Sequence, residues 1–139
     1  MLTVALWIID DTEHHHAVAA ATVAGDARFA LTGFTSGADA IANYLLARQD
    51  APESLPRIVL MDFYLSGERG DAVTAELREV QAIGHPLTVV GYSSLRDGSQ
   101  RIVDAGGDCI VPKRTDADGR NHALRQWLDT WAAAHGLGR

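Results

Sequence analysis

The chain has little cysteine, little proline and no long apolar run, and these shortages exclude several classes of protein. Its one cysteine, Cys109, permits neither a disulfide framework nor a cysteine-based metal cluster. No apolar stretch approaches the roughly 20 residues that span a bilayer. The first residues also lack the basic start of a secretion signal. The sequence therefore predicts a cytoplasmic protein with no membrane partner.

Basic residues are also scarce. The chain has 12 lysines and arginines against 18 aspartates and glutamates, which gives a formal net charge of -6 at pH 7. This balance argues against a nucleic-acid-binding surface, because phosphate backbones are bound by basic faces. The 139 residues, 47% of them hydrophobic, suffice for one domain with a proper core. We predict a domain over residues 1–135 and a C-terminal tail or linker stub over 136–139.

Five short apolar runs alternate with longer, helix-like stretches. The apolar runs are 2–9, 29–34, 57–61, 87–92 and 109–111. Continuous runs of this length are typical of strands buried on both faces of a parallel sheet. The stretches between them predict helices over 12–24, 36–48, 71–83, 99–105 and 121–134. The alternation predicts an α/β protein, a flavodoxin-like, doubly wound (βα)5 sandwich around a central five-stranded parallel sheet.

Polar residues follow the ends of four predicted strands. Asp10 and Asp11 follow the first strand and Asp62 follows the third, whereas Ser93 and Lys113 follow the fourth and fifth. The carboxyl ends of parallel strands meet at one edge of a sheet, so these residues should lie close together. Three adjacent carboxylates repel each other unless a cation joins them. The pattern therefore predicts a Mg²⁺ site, because Mg²⁺ prefers oxygen ligands.

The same residues suit phosphoryl transfer. In that chemistry one aspartate attacks phosphorus, while a metal ion and a lysine neutralise charge on the phosphoryl oxygens. A hydroxyl group can donate a further hydrogen bond to the same oxygens. An aspartate-nucleophile phosphohydrolase is a rival interpretation, but those enzymes carry a D-x-D pattern on the first strand. This chain has the adjacent pair Asp10 and Asp11 there.

The chain resembles the receiver domains of two-component response regulators over nearly its whole length. "LWIIDDTE" (6–13) is similar to the first strand and acidic pair of that family. "IVLMDFYLSGERG" (58–70) is similar to its phosphorylation motif, with a glycine, Gly70, eight residues after the aspartate. "DAGGDCIVPKR" (104–114) is similar to the segment that leads to the family's lysine.

The resemblance assigns a role to each of these residues. It implies that Asp62 accepts a phosphoryl group from a sensor histidine kinase or a phosphotransfer protein. Asp11, Asp62 and the backbone carbonyl of Tyr64 would bind Mg²⁺, and Asp10 would act mostly through a metal-bound water. Lys113 would pair with the phosphoryl oxygens. Such a protein is a phosphoacceptor rather than an enzyme, although autophosphatase activity is compatible with the resemblance.

The sequence departs from the family pattern at three places. Ser66 stands where the family usually has proline, and we expect this change to touch no catalytic atom. The family has a serine or threonine at the end of its fourth strand. When residues are counted without gaps, that position falls on Gly91, and it falls on Ser93 if the end of the strand shifts. We favour Ser93. Ile110 occupies a position that is commonly aromatic, and Tyr92 is a candidate substitute.

These departures leave a second interpretation open. A pseudo-receiver, which keeps the fold and binds partners without phosphorylation, fits a site whose hydroxyl and aromatic residues are altered. Under either interpretation the resemblance allows a homodimer. It also allows a DNA-binding output domain, either C-terminal to this one or on a partner.

Three consecutive histidines, His14, His15 and His16, stand at the start of the first predicted helix. Consecutive helical residues point about 100° apart, so three in a row do not converge easily on one ion. We expect a solvated helix start, with one histidine bordering the mouth of the site.

Overall fold

The computed structural model of the chain describes residues 3–138. The predicted strand residue Leu2 and the predicted tail residue Arg139 lie outside the described residues. The strands are β1 (Val4–Ile9), β2 (Phe29–Phe34), β3 (Ile58–Met61), β4 (Tyr64–Leu65), β5 (Glu68–Arg69), β6 (Thr88–Gly91) and β7 (Cys109–Ile110). The helices are α1 (Glu13–Val23), α2 (Gly37–Asp50), α3 (Gly70–Val80), α4 (Arg96–Asp104) and α5 (His122–Ala134).

Five strands form one sheet in the order β2-β1-β3-β6-β7, and every neighbouring pair is parallel. The predicted doubly wound (βα)5 fold is thereby confirmed. The chain leaves β1 toward β2 on one side and returns to β3 on the other. The carboxyl ends of β1 and β3 therefore border the crevice where this class of fold binds ligands.

The two faces of the sheet bury two separate cores, because successive strand residues point to opposite sides. Ile8, Leu60 and Val90 pack against α1 and α5. Ile9 and Met61, one position further along, pack against α2, α3 and α4. Burial on both faces explains why the strands are continuous apolar runs rather than alternating ones.

Local structure departs from the prediction at several boundaries. Helix α4 begins at Arg96 rather than at residue 99. Gly98 is a weak helix former, but tertiary packing overrides this preference and keeps it within the helix. Helix α3 ends at Val80, three residues before its predicted end. The short hairpin β4–β5 and a 3₁₀ turn, Pro52–Ser54, were not predicted. None of the helices within residues 3–138 is long and apolar enough to cross a membrane.

Candidate functional site

Asp10 and Asp62 lie side by side at the carboxyl edge of the sheet. Each directly follows its strand, and the preceding residues Ile9 and Met61 are partners in the β1–β3 pairing. The Asp62 N–H donates to the Ile9 carbonyl at 3.0 Å. Both aspartates are buried, with 0% of Asp10 and 5% of Asp62 exposed. Sheet register alone therefore brings two buried carboxylates together.

Lys113 bridges these two carboxylates. Its Nζ lies 2.8 Å from Oδ2 of Asp10 and 3.0 Å from Oδ1 of Asp62. Only 4% of the lysine side chain is exposed. A buried ion pair tolerates such desolvation only when its geometry is good, and losing the shared cation would leave two buried charges uncompensated. The three residues therefore form one electrostatic unit.

The surroundings of Asp62 act on the pKa of its carboxyl group in opposite directions. Burial raises the pKa of Asp62, Lys113 opposes that rise, and the neighbouring Asp10 adds to it. The Phe63 N–H donates to Oδ1 of Asp62 at 2.9 Å and also favours the charged form. A further cation beside Asp62 would lower its pKa and keep the carboxylate ionised.

The carboxylates at this edge can accept such a cation. One oxygen from each of Asp10, Asp11 and Asp62 lies within 4.8 Å of the others. Asp11 is exposed, so the group opens to solvent and leaves room for retained water. An all-oxygen donor set that keeps water suits Mg²⁺. Tyr64, the predicted carbonyl ligand, lies in β4 two residues after Asp62, with its side chain 60% exposed.

Ser66, which was expected to touch no catalytic atom, contacts Asp11, a predicted Mg²⁺ ligand. Its hydroxyl donates to Oδ2 of Asp11 at 3.0 Å. The hairpin β4–β5 folds the segment after Asp62 back on itself, with Tyr64 opposite Arg69, and Ser66 lies in its turn. Sequence reasoning missed the contact because it treated this segment as an open loop.

Gly70, eight residues after Asp62, occupies a position without room for a side chain. A Cβ there would lie 1.9 Å from the Asp62 carbonyl oxygen. The Gly70 N–H donates to the Phe63 carbonyl at 2.7 Å, which closes the hairpin onto α3. The motif glycine thus allows α3 to begin directly against the backbone of Asp62.

The two candidates for the site's hydroxyl position both face α4. Gly91 ends β6, and a Cβ on it would lie 2.7 Å from the Ser99 carbonyl oxygen of α4. Ser93 is buried, and its Oγ accepts the Leu95 N–H at 3.3 Å. A Cβ on Gly98 would lie 3.1 Å from the same Oγ. Among the hydrogen bonds of residues 3–138, none joins Ser93 to Asp62.

Tyr92, which directly follows β6, lies between the two candidates and continues the pairing of β6 with β3. The Tyr92 N–H donates to the Met61 carbonyl at 2.8 Å, and its side chain is 1% exposed in the core beneath α1 and α5. Its hydroxyl accepts a hydrogen bond from Nδ2 of Asn121 at 2.9 Å. Burial raises the pKa of Tyr92 to about 12. Ile110, at the position that is commonly aromatic, is half-buried in β7.

Asn121 is a buried residue of the site that the sequence did not single out. The same Nδ2 donates to the Pro112 carbonyl at 2.8 Å, one residue before Lys113. Its Oδ1 accepts the Leu124 N–H at 3.1 Å and so caps α5. An asparagine at the predicted start of a helix was the available signal.

The three histidines have different partners, although the rings of His14 and His15 pack edge to face with centroids 5.3 Å apart. His14 is exposed, and its Nε2 lies 2.9 Å from the Thr115 hydroxyl. Burial and the Lys113 ammonium lower the pKa of His15. His16 contacts the Asp10 carbonyl through Nε2, at 2.6 Å.

Comparison with known proteins supports the fold. No protein-family model matches the sequence, and no curated protein matches it. A mutant of the receiver domain of the histidine kinase CKI1 from Arabidopsis thaliana superposes with a TM-score of 0.75 at 16% identity, over 97% of this chain and 91% of that chain. The same domain complexed with Mg²⁺ and BeF₃⁻ gives 0.70 at 18% identity, over 90% and 89% of the two chains.

A bacterial neighbour leads to the same result. The response regulator domain of Thermotoga maritima CheB gives a TM-score of 0.68 at 15% identity, over 99% of both chains. Identities this low establish a common fold and nothing finer. The chain therefore has the fold of response-regulator receiver domains, as its sequence motifs predicted.

Proposed function

We propose that this chain is a two-component signal receiver that accepts a phosphoryl group on Asp62 in a Mg²⁺-dependent reaction. The observation that carries the proposal is the Lys113 ammonium held between Asp10 and Asp62 at 2.8 and 3.0 Å. A purely structural role would not require two buried carboxylates and an exposed third, Asp11, at the ligand-binding edge of the sheet.

The reaction follows from the roles of these groups. A carboxylate oxygen of Asp62 forms a bond to phosphorus while the phosphorus–nitrogen bond of a phosphohistidine donor breaks, and the nitrogen keeps the electron pair. Lys113 can turn from the carboxylate of Asp62 toward the new phosphoryl oxygens, because its Nζ already lies 3.0 Å from that carboxylate. Mg²⁺ held by Asp10, Asp11 and Asp62 would neutralise charge on those oxygens.

The reaction would change the charge on Asp62, which is a buried side chain. A phosphoryl group on Asp62 would draw Lys113 away from Asp10 and alter the loops that follow β3, β6 and β7. We expect those loops and the adjoining helices to change their affinity for a partner. Partners of this kind are a sensor histidine kinase or phosphotransfer protein as donor, and a second receiver or a DNA-binding output domain as target.

Phosphorylation from a small donor tests the proposal. The protein is incubated with acetyl phosphate and Mg²⁺, and intact mass is measured; one added phosphoryl group is expected. Asp62→Asn should abolish labelling while keeping the shape of the side chain. Asp97→Asn, which removes an exposed carboxylate from the first turn of α4, is the matched control and should be labelled as wild type. An unlabelled wild-type protein would overturn the proposal.

A pseudo-receiver is the second candidate, and one observation favours it. The Ser93 hydroxyl accepts the Leu95 N–H and the Tyr92 hydroxyl accepts from Asn121, so within residues 3–138 no hydroxyl group makes a hydrogen bond to Asp62. A pseudo-receiver would show neither phosphoryl labelling nor a response of Trp7 fluorescence to Mg²⁺. Trp7 is a suitable reporter because it is buried in β1 three residues before Asp10.

A further inference from the structure

His16 makes a contact that the proposed phosphoryl chemistry does not use. Its Nε2 lies 2.6 Å from the Asp10 carbonyl oxygen. Because a carbonyl oxygen only accepts hydrogen bonds, Nε2 must carry the hydrogen, in the neutral as in the protonated ring. The contact joins the second turn of helix α1 to the end of strand β1.

The neighbouring strand leaves space for this imidazole. Gly33 of β2 pairs with Ile8 of β1, and a Cβ on Gly33 would lie 2.3 Å from Nδ1 and 2.8 Å from Cε1 of His16. Gly33 has no positive φ, so its backbone does not require glycine. The glycine is therefore explained by the ring that lies against it, and the two residues form a matched pair across β2 and α1.

The carbonyl that His16 binds lies between the two residues of the acidic pair. It belongs to the peptide unit that connects Asp10 to Asp11, so its direction sets how the two carboxylates are oriented relative to each other. Asp10 is fixed further by Thr12, whose N–H donates to Oδ1 at 2.9 Å. Asp11 is exposed, and its carboxylate accepts hydrogen bonds from the hydroxyls of Ser66 and Thr12. The peptide unit that His16 binds sets the direction in which this side chain leaves the backbone.

We propose that His16 is a positioning residue for the acidic pair Asp10 and Asp11, with Gly33 providing the space that its ring needs. The inference deepens the proposed function and rests on it for the identity of the cation. His14 and His15 have no part in this role, since His14 contacts Thr115 and neither ring bonds the Asp10 carbonyl.

The contact itself is tested first, by a measurement that needs no metal. In His16→Ala, the ¹³C shift of the Asp10 carbonyl and the ¹⁵N shift of the Asp11 amide should both move, because that carbonyl loses its donor. Gly33→Ala should move the same two signals, since the new methyl displaces the ring. His14→Ala, which removes a neighbouring imidazole, is the matched control and should leave both signals in place.

Affinity for Mg²⁺ alone then tests the role in positioning. We expect about tenfold weaker binding in His16→Ala, as is typical when a group that supports a metal ligand is removed. Gly33→Ala should weaken binding similarly, and the double variant should equal His16→Ala, because without the ring the methyl has nothing to displace. His14→Ala should bind as wild type.

The outcomes separate this inference from the proposed function. Wild-type affinity in His16→Ala would overturn the positioning role, while Mg²⁺ binding by the wild-type protein would leave the proposed function intact. Additive losses in the double variant would overturn the pairing of His16 with Gly33. A wild-type protein that binds no Mg²⁺ would count against the proposed function, whereas moved signals in His16→Ala would still support the structural link to Asp10.

Discussion

Lys113→Met offers the sharpest test of the electrostatics at this site. The substitution keeps an apolar stem of similar length and removes the charge that lies 2.8 Å from Asp10 and 3.0 Å from Asp62. Two carboxylates, one 0% and one 5% exposed, would then face each other without a cation. Removing one partner from a buried ion pair costs roughly 3 to 5 kcal/mol.

That cost can be measured by thermal unfolding. At about 3 °C per kcal/mol for a chain of this size, the melting temperature of Lys113→Met should fall by about 9–15 °C at neutral pH without divalent cations. Arg114→Met is the matched control, because Arg114 is the next residue and its side chain is 52% exposed in a surface pair with Asp116. That variant should lose about 1 kcal/mol or less.

The loss of stability in Lys113→Met should be smaller at acidic pH than at neutral pH. The pKa of Asp62 is already raised in the folded protein by burial, and it rises further when Lys113, which lowers it, is removed. A raised folded pKa favours folding below the unfolded pKa and loses that contribution as pH rises through the folded value. Acidification from neutral pH should therefore reduce the difference in melting temperature between Lys113→Met and the wild-type protein.

Magnesium provides the complementary measurement. If Asp10, Asp11 and Asp62 bind the ion, Mg²⁺ should stabilise Lys113→Met more than wild type, because the site then holds an additional uncompensated charge. A variant that unfolds within 2 °C of wild type, without dependence on pH or Mg²⁺, would refute the view that Lys113 neutralises two buried carboxylates.

Three further predictions concern the scaffold of the site. Gly70→Ala should destabilise the fold by more than about 2 kcal/mol in urea unfolding, since its methyl would lie 1.9 Å from the Asp62 carbonyl oxygen; Gly138→Ala, with open space around it, should be neutral. Asn121→Ala should cost about 2–3 kcal/mol, because a helix cap, the buried Tyr92 hydroxyl and the part-buried Pro112 carbonyl lose their partner. Because the pKa of Tyr92 is about 12 in the folded protein against an ordinary 10.0, the free energy of unfolding of the wild type should fall by roughly 1.4 kcal/mol per pH unit between these values. Tyr92→Phe should lose less stability over this pH range. Equal slopes of unfolding free energy against pH in the two proteins would contradict the assignment.

Much of the site followed from the sequence, because it is built on strand ends. Apolar runs that stop at Asp10, Asp62 and Lys113 predict that these residues share one edge of a parallel sheet, and the structure brings them together. The fold was predictable for the same reason: strands buried on both faces and amphipathic helices between them leave few topologies open.

The contacts around that edge depend on three-dimensional packing, and the sequence did not reveal them. Ser66 contacts Asp11 because the hairpin after Asp62 turns back on itself, and its strands of two residues each are too short to show a strand pattern in the sequence. The Ser93 hydroxyl accepts the Leu95 N–H just before α4, and within residues 3–138 it makes no hydrogen bond to Asp62. His16 finds the Asp10 carbonyl only because a glycine lies opposite it on another strand. The sequence by itself determined which residues gather at the sheet edge, since strand ends are local features; only the tertiary structure decided what holds each of them in place, because those partners come from elements distant in the chain.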